Sequence, residues 1–188
     1  MSQIDLEQLA KDVRYLKDRA EILDCMNRYT RGADRLDQEL FLSSYHEDAI
    51  DDRGAFTSKP AQRVEWLFNY LASLDNATHH ITNFTLDIQG DVCHAESYVL
   101  TTVMPRGSET VTVGTARYID RLERRNGEWR IAHREGLMDF VFTVPTHENH
   151  PNVATGKRDR TDRSYARPLT MTPEAEARLE AGVVDANH

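Results

Sequence analysis

The sequence predicts an α+β fold: a curved antiparallel sheet wrapped around N-terminal helices, forming a cone-shaped barrel with an internal pocket. Three observations predict it. Helical periodicity dominates the stretch before Leu74, a period of two takes over from Thr78, and the later apolar runs are joined by short hairpin turns.

Residues 5 to 34 read as helix. Leu6, Leu9, Val13 and Leu16 fall at three- and four-residue spacing, and Ile22, Leu23, Met26 and Tyr29 continue the stripe after a break signalled near Arg19. Gly32 is expected to end this helix. Asp37 to Tyr45 forms a second, short helix, because Leu36, Leu40 and Phe41 keep helical spacing without Gly or Pro. His46 to Asp51 is a short strand running into an Arg53-Gly54 turn. A third helix starts at Ser58 or Lys59, with Pro60 in its first turn, and runs to Leu74; its apolar face is Val64, Leu67, Phe68 and Leu71. Trp66 and the Phe68–Tyr70 pair are expected to pack around that helix.

The sheet follows. Ile81 to Ile88 precedes Gln89-Gly90-Asp91, Val92 to Met104 precedes Pro105-Arg106-Gly107-Ser108, and Thr110 to Arg124 precedes Arg125-Asn126-Gly127-Glu128; Trp129 to Phe142 closes the series. This is an antiparallel meander, and the hollow between it and the helices is the natural pocket. Residues 1–145 make this domain. Residues 146–188 form a polar extension in which only Pro173 to Leu179 reads as helix, either a loosely ordered tail or an arm covering the pocket mouth or a neighbouring subunit.

The 188 residues carry 23 Lys plus Arg against 31 Asp plus Glu, and 39% are hydrophobic. A net charge of −8 argues against nucleic acid as a partner, since phosphate binding draws on clustered Lys and Arg. Cys25 and Cys93 lack CxxC spacing and are expected to be free thiols. The charged N-terminus does not read as a signal peptide, and no apolar run approaches the length of a membrane span, so the expectation is a cytoplasmic protein with no membrane partner. There is no GxGxxG, GxxxxGK[ST] or GxSxG, and the expectation is no cofactor. His147-Glu148-Asn149-His150 follows Pro145 in polar chain without a helix to preorganise it, so no metal site is expected there. His133 and Glu135, flanking Arg134 on one strand, read as a paired core or surface cluster.

Asp34, taken alone, is an ordinary helix end. His79 and His80 open the first long strand, where alternation sends one inward and the other out. An inward His oriented by an Asp is a general base, because its neutral form persists near pH 7.

The ordered set Tyr29-Thr30-Arg31-Gly32-Ala33-Asp34, Thr78-His79-His80-Ile81-Thr82-Asn83, Leu122-Glu123-Arg124-Arg125-Asn126-Gly127-Glu128-Trp129 and Arg134-Glu135-Gly136-Leu137-Met138-Asp139 resembles the SnoaL-like branch of the nuclear transport factor 2-like superfamily, over roughly residues 8 to 142. Within it the pattern is similar to gamma-hexachlorocyclohexane dehydrochlorinase, scytalone dehydratase and bile acid 7-alpha-dehydratase, cofactor-free lyases on an α+β cone. The resemblance implies that His79 is the base and Asp34 the residue orienting it, with His80 the neighbouring alternative. It implies that Tyr29 donates a proton or binds the leaving group, and that Arg134 steadies the departing anion. Strict alternation from Trp129 and Ile131 puts Arg134 on the face opposite them, so its role depends on which face lines the hollow. Tyr45, Arg53 and Tyr98 are candidates for lining the pocket. A middle-strand carboxylate of the bile acid enzyme is replaced here near Thr101.

The implied activity is a lyase acting on a hydrophobic, hydroxylated, aromatic or polycyclic small molecule. It works by loss of water or by carbon–carbon cleavage that releases formaldehyde, as from a lignin-derived diarylpropane. An isomerase or cyclase using the same dyad, or a non-catalytic ligand-binding or assembly subunit like the beta subunits of aromatic-ring dioxygenases, are the alternatives. Edge-rich sheets of this kind associate, and a homo-oligomer, dimer or trimer, is expected.

Overall fold

The first helix, α1 (Leu6–Asp34), runs unbroken through Arg19. Asp5 caps it, accepting hydrogen bonds from the Glu7 and Gln8 N–H groups. Its two halves differ. Ile22, Cys25, Met26 and Tyr29 are buried, whereas Leu6, Leu9, Val13 and Leu16 of the same sequence stripe are exposed. Gly32 lies inside the helix and does not end it. A Cβ there would sit 2.5 Å from the backbone nitrogen of Phe41, so glycine is required by the close approach of the next helix. The chain leaves α1 through a Schellman cap: the Asp37 N–H donates to the Gly32 carbonyl at 2.8 Å, and Leu36 takes a left-handed φ of 54°. Asp34 is thereby fixed as the last helical residue.

The computed structural model describes residues 5–146 and 155–182 of a chain that forms two compact units, residues 1–153 and 154–188. In the first, α1 is followed by α2 (Gln38–Leu42), β1 (Tyr45–Asp52), β2 (Thr57–Ser58), α3 (Pro60–Ala72), β3 (Leu74–Gln89), β4 (Val92–Pro105), β5 (Thr110–Arg125) and β6 (Glu128–Pro145). The second helix is shorter than expected because the chain is already extended at Tyr45, and α3 stops at Ala72 so that Leu74 begins a strand. In the second unit, Asp162 accepts from the Lys157 and Ser164 N–H groups, and Thr172 caps α4 (Pro173–Glu180). The His147–His150 motif lies outside the described residues. Among the described residues, no helix is long and apolar enough to cross a membrane.

The six strands form an open sheet in the order β2-β1-β6-β5-β4-β3. The four long strands make the expected antiparallel meander, but β1 runs parallel to β6, so the sheet is mixed. Its inner face is organised in rows across the strands. His79, Thr101 and Gly114 share one row; Ile81, Val99 and Ala116 the next; then Phe84, Ser97, Tyr118 and Gly136; then Leu86, Ala95, Asp120 and Arg134. The side chains of α1 meet these rows in sequence: Met26 meets Arg134, Tyr29 meets Tyr118, and Asp34 meets His79. Val64 and Leu71 of α3 are buried and Phe68 packs on Phe41, whereas Trp66 and Tyr70 stack on each other at the surface. The end of β6 is uncovered: Met138, Phe140 and Phe142 are exposed.

Candidate active site

Asp34 and His79 meet. The carboxylate accepts from His79 Nδ1 at 2.6 Å through one oxygen and from the His79 backbone N–H at 3.0 Å through the other. This two-point grip fixes both the ring and the strand that carries it, with each side chain about 85% buried. Nδ1 bears the proton in this arrangement, leaving Nε2 with a lone pair and no hydrogen-bond partner among the described residues. His80 points the other way, toward Thr78 Oγ1 at 3.0 Å, and is exposed. Alternation along β3 decides between them.

A second group of polar side chains is buried two rows further along the sheet. Tyr29, Tyr45 and Tyr118 pack edge to face around Arg134 and Arg53. Arg134 is fully buried; its Nε and Nη2 grip Asp120 at 2.7 and 2.8 Å, and its guanidinium lies 4.2 Å from the Tyr29 ring centroid and 4.1 Å from that of Tyr118. Strict alternation puts Arg134 on the wrong face. The structure corrects this because Arg121 and Leu122 are adjacent in β5 whereas their partners His133 and Ile131 are separated by Ala132, a bulge that reverses the phase of β6. Arg134 therefore returns to the face of Trp129 and Ile131. With Asp120 as its counterion and an aromatic ring on each side, its guanidinium is fixed within the core.

Arg53 donates to Asp51 from Nε at 2.6 Å and to the Tyr29 hydroxyl from Nη2 at 3.1 Å. Asp51, fully buried, also accepts from Tyr45 Oη at 2.6 Å and from Arg63 Nη2 at 2.7 Å. Burial opposes ionisation of Asp51, but Arg53, Arg63 and Arg134 outweigh it and hold its carboxyl below the usual value. Burial likewise pushes the Tyr45 and Tyr118 phenols up. Tyr29 behaves differently: Arg53 and Arg134 overcome burial and lower its phenol. Both cysteines are free and buried, and burial raises the Cys25 thiol to about 11 and that of Cys93 to about 12.

Of the sequence-derived candidates, Asp34 and His79 form one group, and Tyr29, Tyr45, Arg53 and Arg134 form the other. Tyr98 joins neither. It stands on the outer face of β4 between Glu96 and Leu100, because Ser97 and Val99 take the inner positions. Along β4 the two groups are four residues apart, Thr101 to Ser97, about 13 Å at 3.3 Å per residue. The row between them carries the apolar Ile81, Val99, Ala116 and Met138.

Asp51, Arg63, Tyr118 and Asp120 are members that the sequence reading missed. One signal for them existed: Asp120 alternates with Tyr118 and Leu122 on an inward face, and a buried carboxylate demands a cation. Among the described residues, no three His, Cys, Asp or Glu side chains cluster as metal ligands, and His133 pairs with Glu135. A polar crevice of about 590 Å³ lined by His46, Asp48, Lys59, Arg125 and Arg130 shares no residue with either group. Two of its arginines pair locally, Arg125 with Asp48 at 2.7 Å and Arg130 with Glu128 at 2.6 Å.

The profile of the SnoaL-like domain family matches residues 14–135. Among solved structures, a type 2 hexachlorocyclohexane dehydrochlorinase, LinA, superposes with a TM-score of 0.67 at 23% identity, covering 76% of this chain and 99% of that one. A scytalone dehydratase-like protein from Novosphingobium aromaticivorans DSM 12444 gives 0.63 at 18% identity over 77% and 99%. An NTF2-like protein with a cystatin-like fold, also from Novosphingobium aromaticivorans, gives 0.62 at 26% identity over 73% and 92%. These likenesses establish the fold. No curated protein sequence matches the chain.

Proposed function

The chain belongs to the SnoaL-like domain family, and from that premise we propose that it is an acid–base lyase acting on a hydrophobic, hydroxylated small molecule. The observation that carries this reading is the grip of Asp34 on His79: one carboxylate bonded to both Nδ1 and the backbone N–H of the same residue. That arrangement presents Nε2 as a proton acceptor and stabilises the imidazolium that forms when it takes a proton.

In a dehydration, His79 Nε2 removes a proton at one end of a conjugated ring system while the carbon–oxygen bond at the other end breaks and the double bonds shift between them. The Tyr29 hydroxyl supplies the proton that lets the oxygen leave as water, and the imidazolium proton returns to the phenolate through solvent. Carbon–carbon cleavage needs the same parts: His79 takes the proton of a hydroxymethyl group, formaldehyde departs, and Tyr29 protonates the leaving carbon centre or its conjugated oxygen. The apolar row of Ile81, Val99, Ala116 and Met138 between the two polar groups suits a ring system with oxygens at its ends. Assembly as a homo-oligomer, dimer or trimer, belongs to the same reading, supported by the exposed Met138, Phe140 and Phe142 at the end of β6.

The test is a screen of β-hydroxylated phenolic compounds, lignin-type diarylpropanes and hydroxysteroids for a new conjugated chromophore, with formaldehyde measured in parallel. Wild-type protein is expected to convert at least one compound, with about 100-fold or greater loss in His79→Ala. A folded His79→Ala protein that retains turnover within about tenfold overturns the mechanism. An isomerised product of unchanged mass replaces the lyase by an isomerase that uses the same dyad.

A further inference from the structure

Arg134 is fully buried against Asp120, and the partly buried Arg53 and Arg63 both face Asp51, whose carboxylate is fully buried. The groups facing Tyr29 are Arg53, Tyr45 and Asp51 from β1 and its turn, Phe41 from α2, Arg63 from α3 by way of Asp51, Tyr118 from β5, and Arg134 from β6 with its partner Asp120 from β5. Among the described residues, only Arg53 touches the Tyr29 oxygen with a cationic donor, while Arg134 lies over the ring. Asp51 grips Arg53 through both carboxylate oxygens, at 2.6 and 3.1 Å, and so aims the guanidinium.

Gly136 completes the arrangement. A Cβ at that position would lie 2.5 Å from Arg53 Nη1 and 2.7 Å from its Cδ, so Arg53 reaches Tyr29 only across a strand residue without a side chain. Gly136 shares its row with Tyr118, whose ring centroid is 4.9 Å from the Arg53 guanidinium carbon.

We propose that Arg53, seated on Gly136 and aimed by Asp51, is a positioning residue that holds the Tyr29 hydroxyl as the proton-exchanging group of the site. The contrast between the lowered Tyr29 phenol and the raised Tyr45 and Tyr118 phenols, all three buried in one cluster, agrees with this geometry. The proposal rests on the reading of Tyr29 as the proton donor of the lyase. It extends that reading by placing control of the donor on β1 and β6, outside the dyad.

The test is a pH titration of the full chain labelled at tyrosine Cζ with carbon-13, in which the seven tyrosines give separate signals and Tyr29→Phe identifies one. In the wild type, the Tyr29 signal is expected to titrate at lower pH than those of Tyr45 and Tyr118. It should move to higher pH in Arg53→Gln and remain low in Arg53→Lys, which keeps the charge. Gly136→Ala leaves Arg53 in the chain but pushes its guanidinium off the strand, and should reproduce the Arg53→Gln shift, giving a second route if Arg53→Gln does not fold. An unmoved Tyr29 signal in a folded Arg53→Gln or Gly136→Ala protein overturns the proposal, as does an equal upward shift in Arg53→Lys. A Tyr29 shift in both Arg53→Gln and Gly136→Ala, alongside full turnover in His79→Ala, supports the pairing and overturns only the lyase reading.

Discussion

Replacing Arg134 by Met separates a structural arginine from a substrate-binding one. Arg134 and Asp120 are both fully buried and joined by two hydrogen bonds, so the substitution strands a carboxylate in the core. Breaking a buried pair on one side costs about 3–5 kcal/mol. The lost cation–π contacts with Tyr29 and Tyr118 act in the same direction, at about 0.5–2 kcal/mol each, and are not additive with the ion pair. A loss of about 4 kcal/mol lowers the melting temperature of a chain this size by about 8–16 °C. Urea denaturation followed by tryptophan fluorescence reads it directly, since Trp129 is buried on the same strand. In Arg134→Met/Asp120→Leu no charge is stranded, and most of the loss should be recovered. Two results refute the reasoning: a single variant within about 1 kcal/mol of wild type, or a double variant no more stable than the single one.

Asp34→Asn keeps the shape of the dyad but places an amide against Nδ1; turnover on any substrate found by the screen should fall by about 10²–10⁴, with the circular dichroism spectrum unchanged, and a smaller loss removes Asp34 from the mechanism. Because Arg53, Arg63 and Arg134 outweigh burial and hold Asp51 below its ordinary value of 3.8, the unfolded chain takes up protons before the folded one does as acid is added. The Asp51 contribution is complete above that value and is lost as pH falls through the folded one, so urea midpoints between pH 6 and 3 should fall more steeply in wild type than in Asp51→Asn; parallel curves contradict the assignment. Sedimentation should show an assembly larger than one chain that Phe140→Glu dissociates, and a monomeric wild type removes the homo-oligomer.

The meander was legible because its turns are explicit: Gly90, Gly107 and Gly127 adopt the positive φ that tight turns require, and the residues between them alternate. Alternation alone leaves His79 and His80 as alternatives, since it fixes relative faces and not which face is covered; the choice of His79 came from the family resemblance. The face of Arg134 was not legible because a one-residue bulge at Ala132 carries no local sequence signal, yet it reverses the side chains beyond it as far as a second irregularity at Asp139. The role of Gly32 was misread for a related reason: a glycine near a helix end resembles a cap, whereas the reason for it is Phe41, nine residues away. Leu6, Leu9, Val13 and Leu16 show the limit of periodicity, which predicts the helix correctly but not what lies against its face.

The spacing of the two polar groups is set by α1, and this ties the order of residues in one helix to the chemistry. Tyr29 and Asp34 are five residues apart, a rise of about 7.5 Å along the axis and a rotation of about 140°. They therefore leave the helix in different directions, Tyr29 toward Tyr118 and Asp34 toward the edge strand that carries His79. A donor and the carboxylate that orients the base would crowd one another on the same helix face. Separated in this way, each is completed by a partner from another element, Arg53 for the hydroxyl and His79 for the carboxylate. The Schellman cap after Asp34 matters for the same reason: it ends the helix at the residue whose carboxylate must turn outward to bond both the ring and the backbone of His79.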